Sequence, residues 1–223
     1  MSIHYSPTTV TNGLVLSLDA GNSKSYPGSG TTWTDLSGNG NTGTLTNGPT
    51  YSSANGGSIV FDGVNDYVGA GNSISGLNGT AVTVSAWVRT NSIGGEQYLL
   101  DASTNGGSGN GLSIRIRANG SIRFWNYNAT YNANSASILS ANTWYYIAGT
   151  WDGTTSRVYI NGLPDGTNTG DANFLGSIYQ IGHSNMLGGF FNGNISSVSI
   201  YNRALSAAEI YQNFNALRGR YGV

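Results

Sequence analysis

Thr143 to Asp165 reads TWYYIAGTWDGTTSRVYINGLPD. Trp144 to Trp151 and Ser156 to Asn161 are two runs of β-branched and aromatic residues, joined through Asp152-Gly153 and followed by a second turn signal at Asn161-Gly162. Asp-Gly and Asn-Gly reach the positive φ angles of tight hairpin turns at little steric cost, so the stretch predicts an antiparallel hairpin.

Similar runs continue outward in both directions. Leu14, Leu16 and Leu18 alternate with Val15, Ser17 and Asp19, which fits a first strand with one buried face. Further strands are expected at 58–62, 66–68, 82–89, 97–102, 111–118, 121–127, 179–181 and 193–201, with Asn-Gly and Asp-Gly pairs among and between them. The sum is an all-β chain with two antiparallel sheets. Gly21 to Gly57 reads as one long Gly-, Asn-, Ser- and Thr-rich loop pinned by Trp33, Leu36, Leu45 and Tyr51. Near the end, Ser206-Ala207-Ala208-Glu209 is a capping box, with Leu205 and Ile210 placed as a hydrophobic staple. Ile210, Phe214 and Leu217 then share one face of a short helix.

These stretches carry a resemblance. The hairpin, LVLSLDAGN (Leu14 to Asn22), DLSGNGNTG (Asp35 to Gly43), SIVFDGVNDYV (Ser58 to Val68) and ISSVSIYNRALSAAEI (Ile195 to Ile210) resemble the laminin G-like, concanavalin A-like lectin jelly rolls. The resemblance implies a two-sheet antiparallel jelly-roll sandwich over residues 13–205, a capped helix and tail at 206–223 packed on it, and an N-terminal arm at 1–12. That arm, polar and without periodicity, is expected to be flexible or to order on a neighbouring subunit. The fold hosts lectins, hydrolases and structural modules alike, so it leaves function open. A narrower resemblance lies in NFNALRGRYGV (Asn213 to Val223), which is similar to the C-terminus of jelly-roll proteins among the virion structural proteins of tailed bacteriophages.

Composition excludes several classes. At 223 residues with no Pro- or charge-rich linker, the chain reads as one domain. Only 9% of residues are charged, the net charge is −1 and Lys24 is the sole lysine. A nucleic-acid partner held through a basic field is therefore not expected. There is no Cys, so disulfides, thiolate ligands and cysteine nucleophiles are excluded, while five Trp and 14 Tyr supply apolar area for a core. No window approaches the roughly 18 apolar residues of a membrane span, and the first residues lack a signal-peptide pattern. The expectation is a protein made without a signal peptide and without membrane insertion.

Catalytic groups are scarce. Glucanases of this fold flank the scissile bond with carboxylates on one strand, whereas Glu96 and Glu209 are the only glutamates here and stand far apart in sequence. His4 and His183 lack metal-ligand spacing and a partner nucleophile, so His183 reads as a turn histidine. Gly38, Gly40 and Gly43 spell a dinucleotide fingerprint without the required following helix, and that reading is rejected.

Two sites are expected. Asp35, Ser37, Asn39 and Asn41 alternate oxygen-bearing side chains, and Asp62 and Asp66 add two carboxylates, the chemistry of a hard cation. Asp35, Asn39, Asp62 and Asp66 are thus candidate ligands for a structural Ca²⁺, against the alternative of Asx-turns that cap loop backbone. In the hairpin turned at Asn119-Gly120, Leu112, Ile114 and Ile116 point inward. Arg115, Arg117, Arg123 and Trp125 then share the outer face, where guanidinium forks and an indole suit an acidic sugar or a partner's carboxylate. The alternative is a solvated face or one covered by a sister subunit. Tyr127, Tyr131, Phe190 and Phe191 are candidates for a sugar-stacking rim.

The resulting expectation is a non-enzymatic virion surface protein, of the capsid-decoration or tail-fibre type, that stabilises the particle, binds host-surface glycans, or both. Its partners would be other virion proteins and copies of itself, a trimer being favoured. A free carbohydrate-binding lectin is the first alternative and a glycan hydrolase with an unrecognised site the second.

Overall fold

The computed structural model describes residues 8–77, 79–103, 111–126, 132–170, 178–185 and 187–223. Its strands, in chain order, begin with β1 (Leu14–Asp19), β2 (Thr32–Trp33), β3 (Gly43–Thr46), β4 (Thr50–Ser52), β5 (Ser58–Asp62) and β6 (Tyr67–Gly69). There follow β7 (Val82–Thr90), β8 (Gln97–Ser103), β9 (Gly111–Ile116), β10 (Ser121–Asn126) and β11 (Asn132–Ile138). The series closes with β12 (Tyr145–Trp151), β13 (Thr155–Ile160), β14 (Leu163–Thr169), β15 (Ile178–Ile181), β16 (Asn192–Tyr201) and helix α1 (Ala207–Leu217).

The strands form two antiparallel sheets. The first runs β14-β13-β12-β7-β16-β5-β4, with β1 also paired to β16, and the second runs β11-β10-β9-β8-β15-β6-β3-β2. The 143–165 hairpin is β12 and β13, paired from Ile147↔Ile160 to Trp151↔Ser156, and β12 lies beside the long central strand β7. Between the sheets, Leu16, Leu18, Val84, Val88, Ile147, Val158 and Ile195 meet Trp33, Val68, Leu100, Leu112, Ile114, Ile122, Phe124 and Ile181 in one core. Gly149 on β12 is required there, because a Cβ would lie 2.2 Å from the Phe124 ring.

A second apolar layer covers the outer face of the first sheet. Trp87, Tyr146, Tyr159 and Tyr201 project outward and are covered by Leu205, Ile210, Phe214 and Tyr221. Trp87 stacks on Tyr221 at 4.0 Å and on Phe214 at 5.7 Å. The helix begins where the sequence places it. Ser206 Oγ accepts from the Glu209 N–H and Glu209 caps the Ser206 N–H, completing the capping box, and Arg203 grips Glu209 at 2.6 and 3.0 Å.

Three expectations change. Residues 8–12 do not form a free arm: the Val10 N–H donates to Asn213 Oδ1 at 2.7 Å, Tyr201 donates to the Val10 carbonyl at 3.0 Å, and Val10 is buried in the second layer. A single apolar residue and two side-chain clamps tie this polar stretch to the chain's own helix and to the end of β16, while the rest of the expected arm lies outside the described residues. The 21–57 loop contains the short strands β2, β3 and β4, which extend both sheets. Finally, β11 and β14 stand where no strand was expected. Among the described residues no helix is long and apolar enough to cross a membrane.

Candidate functional site

The outer face of the second sheet is polar, and strand register fixes which side chains share it. Arg115 on β9 stands between Tyr98 on β8 and Arg123 on β10, and Arg123 faces Asn134 on β11. One step along, Asn132, Trp125, Ser113, Asp101 and Gln180 form a row crossing β11, β10, β9, β8 and β15. The arginines and Trp125 therefore lie together as alternation predicts.

Their exposure differs from the expectation. Arg115 is only 7% exposed, Tyr98 and Asp101 are each 1% exposed, and Ser113 is fully buried. Arg115 is a support rather than a surface group. Its Nη1 donates to the Tyr98 hydroxyl, its Nε lies 2.9 Å from Glu96 Oε2, and its guanidinium sits 4.7 Å from the Trp125 ring centre and 5.1 Å from that of Tyr98. The Glu96 contact is off the N–H axis, so it is an ion pair more than a hydrogen bond. Glu96 keeps 41% of its side chain exposed. A buried charge persists only where it is paired, and Glu96 with the two aromatic rings provides that pairing.

Arg117, Arg123 and Trp125 are half-buried and reach the surface. The Arg123 Nε–H donates to Asn134 Oδ1 at 2.9 Å, which fixes the fork and leaves its Nη donors unused among the described residues. Burial, followed by the guanidinium groups of Arg117 and Arg115, lowers the Arg123 pKa below the usual arginine value. The Arg117 Nε and the Ser113 Oγ are buried without a hydrogen-bond partner among the described residues. Cationic donors, one of them fixed by Asn134 and crowded against the other beside an indole, are suited to an anionic group on a ligand with an apolar flank.

Tyr98 and Asp101 share this face, which reading the sequence by alternation did not reveal. Strict alternation groups 98 with 100 and 102, but the register shifts between Tyr98 and Leu100, so Asp101 turns outward with Tyr98. At the far end of the row, His183 stacks on Phe190 at 4.1 Å and its Nδ1 lies 3.0 Å from Gln180 Oε1. Burial lowers the His183 pKa. Phe190 thus stands at a rim, whereas Phe191 is buried in the main core and is not a rim residue. Tyr127 and Tyr131 lie outside the described residues.

The cation candidates separate into two places. Asp35 is buried and accepts from the Ser17, Ser37 and Asn41 N–H groups and from Ser37 Oγ, at 2.7–2.9 Å. With those lone pairs taken by loop donors, Asp35 fits an Asx-type brace and not a metal ligand. Asn39 donates to Ser37 Oγ and to the Leu14 carbonyl. Asp62 caps the turn at Val64 and Asn65, while Asp66 accepts from the Asp62 N–H at 3.0 Å. Burial, and then the Asp62 charge, raise the Asp66 pKa. This carboxylate pair is the part of the set with the donor chemistry for calcium, although no group of three acidic, His or Cys side chains occurs among the described residues.

Comparison with known proteins agrees with the architecture. The family profile described as concanavalin A-like lectin/glucanases superfamily matches residues 62–211, and the chain belongs to that superfamily. No curated protein matches it in sequence. Among solved structures it is similar to domain 4 of an extracellular arabinanase from Geobacillus stearothermophilus in complex with arabinotriose, at 18% identity and TM-score 0.72, covering 90% of this chain and 97% of that one. A sialidase from Trypanosoma rangeli in complex with sialic acid is similar at 19% identity and TM-score 0.69, covering 93% of this chain and 33% of that one. The binding domain of botulinum neurotoxin DC in complex with SialylT follows at 16% identity and TM-score 0.71, covering 93% and 52%. The chain therefore spans about a third of the sialidase and half of the toxin domain. At these identities the likeness concerns the fold.

Proposed function

We propose that this chain is a non-enzymatic glycan-binding domain of a virion surface protein, of the decoration or fibre type, and that Arg117, Arg123 and Trp125 hold an acidic sugar on the outer face of the second sheet. The observation that carries the reading is the convergence of the anchored Arg123 guanidinium, the Arg117 guanidinium crowded against it and one indole at a surface, with Arg115 buried beneath them as a strut. An acidic sugar offers a carboxylate to the forks and a C–H face to the ring. The superfamily, and neighbours whose structures hold arabinotriose and sialic acid, support a saccharide ligand. The virion setting rests on the resemblance of the C-terminal Asn213 to Val223.

The non-enzymatic part of the proposal rests on how both glutamates are used. Glu96 neutralises Arg115, and Glu209 is committed to Arg203 and the helix cap. A shallow single site binds near 1 mM, about −4 kcal/mol, so attachment requires several copies acting together. A homo-oligomer, a trimer for a fibre, supplies them. The test is an array of neutral and acidic glycans probed with the oligomeric protein and an Arg117→Ala/Arg123→Ala variant. Saturable binding to acidic glycans, lost in the variant, is the expected result. A folded oligomer silent across the array assigns the domain to particle stabilisation instead, and turnover abolished by Glu96→Gln would make it a hydrolase.

A further inference from the structure

A concave pocket of about 420 Å³ lies on the opposite side of the molecule, on the outer face of the first sheet beside the aromatic layer. Val60, Ser58 and Asn194 form its floor, Trp144 and Ala54-Asn55 line its sides, and Arg89 stands next to Asn194 in register. The geometry points to a second saccharide site here, for one or two neutral sugar units.

Trp144 is held by the Tyr221 ring at 4.7 Å. The opposite wall is a turn in which Asn55, Gly56 and Gly57 all take positive φ, with Asn55 tied to the Arg220 carbonyl at 3.5 Å. Gly57 is required there, since a Cβ would lie 2.6 Å from the Ala20 carbonyl oxygen. Arg89 is fixed on three sides by Asn142 O, Asn142 Oδ1 and Asn91 Oδ1 at 3.0–3.2 Å. A guanidinium has five N–H bonds, so one on each Nη stays available. Asn194 donates to Ser58 Oγ at 3.0 Å, which leaves Asn194 Oδ1 as an acceptor and the Ser58 hydroxyl as a donor.

The balance of groups selects the ligand class. A phosphate or sulfate is recognised by donors alone, and a cation by acceptors alone. This pocket offers fixed donors, an acceptor and apolar surface together, and among the described residues no carboxylate lines it. Hydroxyl groups on a carbon ring both donate and accept, and the C–H faces between them match Val60, Ala54 and Trp144. The volume falls within the range of small-molecule pockets, about 300–1,000 Å³.

The Trp144 indole N–H makes no hydrogen bond among the described residues, so its resonance serves as a reporter. Titration by ¹H–¹⁵N NMR with methyl α-glucoside, α-galactoside and α-mannoside to about 50 mM, far above the ~1 mM expected of a shallow site, tests the site. At least one glycoside should shift the Trp144 indole and Asn194 amide signals saturably. The shift should persist in Arg117→Ala/Arg123→Ala and weaken at least tenfold in Asn194→Leu, with Arg89→Gln as a second variant should Asn194→Leu not fold. Absence of a saturable shift with all three glycosides, a shift unchanged in these pocket variants, or an equal response to inorganic phosphate would overturn the inference.

Discussion

The two sheets treat their outer faces in opposite ways. The first buries an aromatic layer beneath helix α1, so most of its outer face is a second core; the second sets a row of polar side chains on its outer face, several of them as deeply buried as the core. Apolar burial contributes stability without direction, whereas buried polar groups must be paired one by one and so fix positions. On this account the aromatic part of the first sheet's outer face supplies stability and the polar face of the second supplies the acidic-sugar site.

Substitution of the two tryptophans separates these roles most widely. Trp87→Ala should cost about 3–5 kcal/mol in urea unfolding, because it opens a cavity beneath Phe214 and Tyr221. Trp125→Ala should cost about 1 kcal/mol or less, the scale of a partly exposed cation–π contact, while removing glycan binding. Comparable losses of stability would erase the contrast.

Arg115→Leu comes next. It leaves Tyr98 without its donor and Glu96 without its partner, for a loss of about 1–3 kcal/mol, and it should weaken binding by releasing Trp125 even though Arg115 itself is buried. Asn213→Ala belongs on the same scale on the other face, since it removes the acceptor of the Val10 N–H and the donor to the Tyr201 hydroxyl. Faster hydrogen exchange at Val10, with glycan binding unchanged, is the expected signature.

Two smaller effects concern carboxylates. The paired Arg203 guanidinium holds Glu209 at about 2, down from 4.5. A depressed folded-state pKa stabilises fully above the unfolded value, so this contribution should be lost as the pH falls from about 4.5 towards 2, and Glu209→Gln should flatten the acid limb. Because the pair is partly exposed, its worth after solvent screening is about 1 kcal/mol. For Asp62 and Asp66, a calcium ion of weak, extracellular-type affinity would add about 1 kcal/mol at ~1 mM. Chelator should then lower the melting temperature and Asp66→Ala should abolish the difference; superimposable melts remove calcium from the account.

The sequence revealed which residues share a face better than what covers that face. The β12–β13 hairpin, the capping box at Ser206 and the common side of Arg115, Arg123 and Trp125 all follow from turn chemistry and alternation, and the structure shows each of them. Alternation says nothing about depth, which is why Arg115 read as a surface group, and Phe191 read as a rim residue because it follows Gly188-Gly189 in what reads as a loop. Alternation also fails at a bulge, which hid Asp101. Strand β11, with the sequence NANSASI, has small polar residues in place of an apolar stripe, and β14 carries Pro164 and an Asp-Gly pair that read as turn. Both are paired by their neighbours in the sheets, through β10 and β13, rather than by any pattern of their own. The Val10 anchor is one residue, too little for a periodic signal.

The central claim is that the polar face binds while the aromatic face holds the fold. Calorimetric titration of an acidic oligosaccharide into the native protein and into Arg117→Ala/Arg123→Ala, with urea unfolding of both, tests it most directly. The account predicts saturable binding that disappears in the variant while stability stays within about 0.5 kcal/mol, the range of surface substitutions. Binding retained in a variant of native stability would contradict it.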